Sequence, residues 1–135
     1  MRKVYFLDTN ILLDFLGNRK PFGKYALHIF NQALSKEWEL WTSSNSIITS
    51  YYILEKELGT DTAKQKIASL LLYISIQPVE KEDLLTAVVS KFRDFGDGVQ
   101  HACALSQGKI EAIITRNTRD FKHSQIPVCS PEEVI

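Results

Sequence analysis

The run Val4-Tyr5-Phe6-Leu7 is short, continuously apolar and rich in β-forming residues, and it stops at the polar cluster Asp8-Thr9-Asn10. A strand with no polar face must be covered on both sides, so the run predicts a buried strand, with Thr9 or Asn10 capping the helix that follows. Ile11, Leu12, Phe15 and Leu16 keep helical spacing as far as Gly17. Pro21 opens a longer amphipathic helix with Phe22, Tyr25, Ala26, Ile29, Phe30, Ala33 and Leu34 on its apolar face. Glu39-Leu40-Trp41 reads as a second strand, and Ile47, Ile48, Tyr51, Tyr52 and Leu58 mark a helix ended by Gly59. Ala63, Ile67, Leu70 and Leu71 mark the next helix, and residues 74–79 are a third strand candidate weakened by Pro78.

In the remaining third, Leu85, Val88, Val89 and Phe92 fall on one helical face, and a shorter helix after Gly98 turns Val99, Ala102 and Cys103 inward. Ala112-Ile113-Ile114 is the clearest strand of the second half, and residues 126–129 supply a candidate for the last one. Ser130-Pro131-Glu132-Glu133 combines a cap, a first-position proline and a capping glutamate. Short apolar strands alternating with helices predict an α/β sandwich around a mostly parallel sheet, with ligands beyond the carboxyl ends of the strands. Two such ends carry polar clusters, Asp8-Thr9-Asn10 and Thr115-Arg116-Asn117.

Length and composition narrow the class. At 135 residues the chain is expected to form one domain over 1–135, and 44% hydrophobic with 24% charged residues is a globular balance, not a disordered one. Sixteen Lys and Arg against sixteen Asp and Glu exclude a general polycation held on nucleic acid by bulk charge, while leaving room for a local basic patch. Two cysteines, Cys103 and Cys129, provide neither a disulfide framework nor a metal cluster. The longest apolar stretch, residues 69–76, is far below the ~18 residues of a membrane span. Met1-Arg2-Lys3 followed by Asp8 leaves no uninterrupted signal-peptide core. A cytoplasmic protein with reduced thiols is expected.

Chemistry concentrates in three features: Phe6-Leu7-Asp8-Thr9-Asn10, Asp94-Phe95-Gly96-Asp97, and residues 114–121 around Thr115-Arg116-Asn117. They contain no nucleophilic serine, cysteine–histidine pair or glycine-rich phosphate loop; they offer carboxylates and amides, hard oxygen ligands suited to Mg²⁺ or Mn²⁺. Asp8 at a strand end and Asp97 at a helix start could meet across the sheet edge and hold a metal against a scissile phosphate. Each residue also has a plainer reading. Asp8 could cap a helix, Asp97 could be an N-terminal helix charge worth ~0.3–1 kcal/mol, and Thr115 could be a structural strand-end threonine. Asn10 reads as a turn and supporting residue. His101, one turn beyond Asp97, reads as structural, and Cys103 as a small buried residue. Arg116, Arg119, Lys122 and His123 form a basic cluster, open equally to RNA phosphates and to a solvated loop. Trp41, Tyr51, Tyr52, Phe22 and Tyr25 exceed what one side of a thin sheet buries, which points to an interface.

Leu7-Asp8-Thr9-Asn10, the Asp97 helix with Ala102-Cys103-Ala104-Leu105, and Ile113-Ile114-Thr115-Arg116-Asn117 occur in the order and at the separations of the PIN-domain family. The chain resembles this family of metal-dependent ribonucleases, which includes VapC-type toxins, from Phe6 through Glu133. The resemblance implies a PIN-like three-layer sandwich and an acidic site in which Asp8 and Asp97 are catalytic and bind Mg²⁺ or Mn²⁺. Thr49 and Asn117 align with the family's other acidic positions and count as supporting residues; the residues themselves add Asp94 as a weaker ligand, Asn10 and Thr115 as supporting residues, and Arg116 and Arg119 of the basic cluster as RNA contacts. Thr49 stands where the family has a glutamate, and Asn117 where an aspartate is usual. Both replace a charged ligand by a neutral oxygen; Asp94 and Asp120 could restore part of the charge. The implied function is the endoribonuclease toxin of a toxin–antitoxin pair, with an RNA substrate, a cognate antitoxin, a homodimer and no membrane. The main alternative is a catalytically impaired PIN-like module that binds RNA or protein. A phosphotransferase using Asp8 as nucleophile would want a second aspartate at position 10, where the chain has asparagine.

Overall fold

Five strands and six α-helices alternate along residues 2–135, the part of the chain that the computed structural model describes; Met1, in the opening Met1-Arg2-Lys3, lies outside it. β1 (Lys3–Leu7) is the middle of a sheet ordered β3-β2-β1-β4-β5, with β2 (Trp38–Ser43), β3 (Ser75–Gln77), β4 (Ala112–Ile114) and β5 (Val128–Cys129). Every pairing is parallel. The helices are α1 (Thr9–Leu16), α2 (Gly23–Leu34), α3 (Ser44–Leu58), α4 (Thr60–Leu70), α5 (Lys81–Val88) and α6 (Phe95–Gln107).

Side chains of a strand alternate between its faces, and the sheet buries both. Tyr5 and Leu7 of β1, with Leu40 and Ile114, join a core containing Leu12, Ile29, Leu54 and Leu70 of α1 to α4. Phe6 and Ile113 join a second core with Ala87, Val99, Cys103 and Phe121 on the α5–α6 side. This is the sandwich around a parallel sheet that the alternation of strands and helices predicted, in the three layers that the resemblance implied. Gly98 lets its third layer close: a Cβ there would lie 3.1 Å from Ser90 Oγ and 3.2 Å from Ala87 Cβ, so α6 packs directly on α5.

Several element boundaries move. α2 starts at Gly23, two residues after Pro21, and α5 ends at Val88, so Phe92 reaches the second core from a loop. α6 begins at Phe95, not after Gly98, and runs to Gln107. Gly96 and Gly98 are weak helix formers and mask its first turn in the sequence. What starts the helix is Asp94, whose Oδ1 accepts from the Asp97 backbone N–H at 3.0 Å. Ser130 and Glu133 do form a capping box, but it closes a 3₁₀ turn, Pro131–Val134.

Candidate active site

From β1 the chain steps to β2 and β3 on one side of the sheet, and later returns to β4 and β5 on the other. In parallel sheets a crevice opens beyond the carboxyl ends of the strands at that reversal, here between β1 and β4. Leu7 pairs with Ile114, which brings the next two residues, Asp8 and Thr115, side by side. The Asp8 N–H donates to the Ile114 carbonyl at 3.0 Å.

Asp8 is 6% exposed and held on all sides. Its Oδ1 accepts from the Thr9 N–H at 2.9 Å and from Gln100 Nε2 at 3.3 Å. Its Oδ2 accepts from Thr115 Oγ1 at 2.8 Å and, at 3.5 Å, from Asn10 Nδ2. Burial pushes its carboxyl above the usual aspartate range against these hydrogen bonds, which favour the ionised form. Asn10 also bonds Thr115 Oγ1 at 3.2 Å, and its Oδ1 accepts the Arg116 N–H at 3.2 Å, so it staples the β1 and β4 ends together.

Gln100, 3% exposed on α6, is the hub that sequence reasoning missed. Besides Asp8, its amide nitrogen bonds Ser46 Oγ at 2.7 Å, its carbonyl accepts from Ser43 Oγ, and Ser46 Oγ meets Thr9 Oγ1 at 2.8 Å. Ser43 caps α3 through the Ser46 N–H at 3.0 Å, so this network ties α1, α3 and α6 together beneath the crevice.

A cleft of about 390 Å³ opens above the network. Asp8, Asn10, Thr49, Asp94, Asp97 and Asn117 all line it, as do Asn45 and Gln100. Thr115 lies fully buried under Asp8, and the Asn117 N–H donates to its hydroxyl at 3.1 Å. Asp120 enters from the side, lining a smaller hollow with Arg93, Asp94 and Asp97. Unlike Asp8, the Asp97 carboxyl receives no hydrogen bond among the described residues; only its backbone N–H is engaged. Desolvation, and then the negative charges of Asp8, Asp94 and Asp120, push it up to about 7. Arg119 is exposed beside this group. Arg116 is committed elsewhere: Nε and Nη2 lie 2.6 and 3.2 Å from the Asp14 carboxylate, and the guanidinium sits 4.0 Å over the Phe22 ring. Asp14 is 1% exposed and carries no signal of this role in the sequence.

The donor set fits a hard divalent cation. Its ligating atoms are oxygens of Asp, Asn and Thr, and repulsion among its acidic groups is relieved by positive charge. Among the described residues no three acidic, histidine or cysteine side chains converge as a closed cage. Two carboxylates with neutral oxygens and water are the usual company of Mg²⁺, which gives up its waters reluctantly.

A crevice at the sheet's topological reversal, floored by a strand-end aspartate and faced by an aspartate in the first turn of a helix, is that of a PIN domain. The chain belongs to this family: the family's PIN domain model matches residues 4–119. It is homologous to ribonuclease VapC1 of Aquifex aeolicus (strain VF5), 28% identical over 133 residues that cover 95% of this chain and 90% of the relative. A toxin–antitoxin complex from Klebsiella pneumoniae contains a chain 25% identical, matched over 94% of this chain and 97% of that one with a TM-score of 0.68. DNA-bound VapBC from Salmonella typhimurium has the same fold at 19% identity, a TM-score of 0.71, and 97% and 99% coverage.

Proposed function

We propose that the chain is a divalent-metal-dependent endoribonuclease, the toxin of a toxin–antitoxin pair, acting in the cytoplasm. The observation that carries this reading is geometric: a rigidly held Asp8 and an Asp97 carboxyl without a hydrogen-bond partner among the described residues line one open cleft, where partial burial and then the charges of Asp8, Asp94 and Asp120 lift Asp97 to about 7. Asp8 and Asp97 would hold Mg²⁺ or Mn²⁺, with Asp94 Oδ2, Asn117 and Thr49 contributing neutral or weaker oxygens or holding water. When bound, the ion lowers the pKa of a water and neutralises charge on the scissile phosphate. Thr115, Thr9 and Gln100 fix the Asp8 carboxylate so that no rotamer is lost on binding, and Asn10 fixes the strand ends that carry it. Arg119 and the outer edge of Arg116 meet RNA phosphates on the β4 side.

Support for the partners comes from the relatives, which include toxin–antitoxin complexes. The antitoxin and a second copy of the chain dock on the exposed aromatic and aliphatic surface of the first half, where Tyr52 stands open to solvent. A specific observation favours a second reading, an impaired RNA- or protein-binding module: Thr49 and Asn117 put two neutral side chains on the cleft wall. One experiment separates the two. RNA cleavage is followed during Mg²⁺ and Mn²⁺ titration of wild type and Asp8→Asn; metal-dependent cleavage confined to wild type supports the nuclease, and none in either protein leaves the binding module.

A further inference from the structure

One turn along α6 from Asp97, a second cavity of about 470 Å³ opens between α5, α6 and the segment after β4, with Thr86, Val89, Phe92, His101, His123 and Gln125 among its walls. Its floor is aromatic. The Phe92 ring lies 4.8 Å from that of His101 and 5.6 Å, edge to face, from that of Phe121. His101 is 5% exposed, and its Nε2 accepts the Gln125 backbone N–H at 3.0 Å. A ring nitrogen that accepts carries no proton, so in the neutral imidazole the proton sits on Nδ1. Burial favours that neutral form by holding His101 below the ordinary histidine range. Among the described residues Nδ1 has no hydrogen-bond partner, and it is not one of the sealed, unsatisfied atoms of the interior. A nearly buried N–H donor is therefore left without an acceptor among the described residues, on a side chain that walls the cavity, and an acceptor bound there would satisfy it.

The rim is basic. Lys91 and His123 line the cavity, and Arg93 lines the hollow it shares with Asp94, Asp97 and Asp120. Neither Lys91 nor Arg93 forms an ion pair among the described residues, although three aspartates stand beside Arg93. Positive side chains thus lead from the carboxylate cleft to the second cavity. The step from Asp97 to His101 is four residues along α6, a rise of about 6 Å, the scale of one nucleotide in an extended strand.

We propose that this cavity is a nucleotide subsite that receives the base of the RNA residue next to the scissile phosphate. This rests on the ribonuclease reading and adds to it a place where sequence is read. The base lies on the Phe92–His101 floor, an acceptor on its edge meets His101 Nδ1–H, and the adjoining phosphates lie on Lys91 and Arg93. A mostly apolar hollow with few convergent polar groups is what a planar heteroaromatic ring needs, and unpaired bases are read by stacking together with hydrogen bonds to their edges. His101 acts here by binding and takes no part in the bond cleavage.

The test uses the four nucleoside 5′-monophosphates, titrated without metal while the His101 ring and Gln125 amide resonances are followed by NMR. Wild type and Asp8→Asn should respond alike and favour one base over the others. Thr86→Trp, a change at an exposed position of α5, fills the cavity from the outside and should weaken that response about tenfold, the scale of one lost stacking contact. His123→Ala, at the exposed rim, should weaken it less. On an RNA of mixed sequence, Thr86→Trp should cleave with its base preference flattened. Resonances unmoved by all four nucleotides would overturn the subsite, and so would a Thr86→Trp protein that keeps both affinity and cleavage pattern. Binding here by a wild type that cleaves no RNA would uphold the subsite and sink the nuclease reading instead. Cleavage indifferent to the filled cavity would do the reverse.

Discussion

Asp8 and Asp14 sit at opposite ends of α1, both buried, and the fold treats them in opposite ways. Asp14 lies near the carboxyl end, where the helix dipole disfavours a negative charge, and Arg116 neutralises it with two hydrogen bonds while stacking on Phe22. Asp8 lies at the favourable amino end and receives only neutral donors, while Asp97, Asp94 and Asp120 gather nearby and none of the three forms an ion pair among the described residues. A buried charge that is paired within the chain builds the fold. One left unpaired next to others of its own sign marks a place where charge comes from outside. Phosphate-cleaving chemistry requires the second arrangement, and the first holds the β4 end in register for it.

The contrast can be broken at either end, and the largest effect is expected at Asp8. Asp8→Asn keeps the size and shape of the side chain and removes its charge, so the fold is retained. Metal-dependent RNA cleavage should fall by about 100-fold or more. Unchanged cleavage by carefully purified Asp8→Asn would remove Asp8 from the site.

At the other end, Asp14→Ala leaves the Arg116 guanidinium half-buried without its counter-charge. Urea denaturation should show a loss of about 2–4 kcal/mol, somewhat below the full cost of breaking a buried pair because Arg116 retains some solvent. A loss under about 0.5 kcal/mol, the range of an ordinary surface change, would make the pair incidental.

Adding charge to the cleft sharpens the comparison. Thr49→Glu and Asn117→Asp restore carboxylates to its wall. At 4 Å a unit-charge pair is worth about 1–4 kcal/mol between bulk water and an effective dielectric of 20, and a divalent ion feels roughly twice that. After the ion's desolvation, each change should tighten Mg²⁺ by roughly tenfold in calorimetry, and the metal-free double variant should lose some stability through repulsion from Asp8 and Asp97. Cleavage should rise if the reacting geometry survives. Equal Mg²⁺ affinity in double variant and wild type would mean that these two positions do not reach the ion.

The smallest expected effect is on pH dependence. Asp97 titrates at about 7 in the folded protein against an ordinary value of 3.8, so between those values the folded chain holds a proton that the unfolded chain has released. Without metal, stability should therefore fall as pH rises from about 4 to about 7 and level off beyond. Asp97→Asn should make that slope shallower and be the more stable protein at pH 8, by about 1 kcal/mol once solvent screening is allowed for. Urea melts in a chelator across this range would show it; parallel curves for the two proteins would mean that Asp97 is not under the pressure described.

Local pattern was enough to determine the alternation of strands and helices, the parallel sheet, and the two strand ends that carry Asp8 and Thr115. Those signals are written in runs of four to fifteen neighbours, because a strand buried on both faces has no polar residue to spare and an amphipathic helix repeats every 3.6 residues. The family motifs likewise pointed to Asp97, Thr49, Asn117 and the departures at the last two. Tertiary structure alone decided which polar residues are neutralised. Asp14 meets Arg116 across 102 positions, and Gln100 reaches Asp8 across 92 and Ser43 across 57. Asp120 turns toward Asp97, while Arg116, read from the sequence as an RNA contact, is largely occupied in holding α1 to β4. No periodicity marks such residues, since hydrogen bonds and charge pairs depend on where the sheet order brings the chain back, and a lone Gln or Asp on a helix looks the same whether it meets solvent or a buried carboxylate.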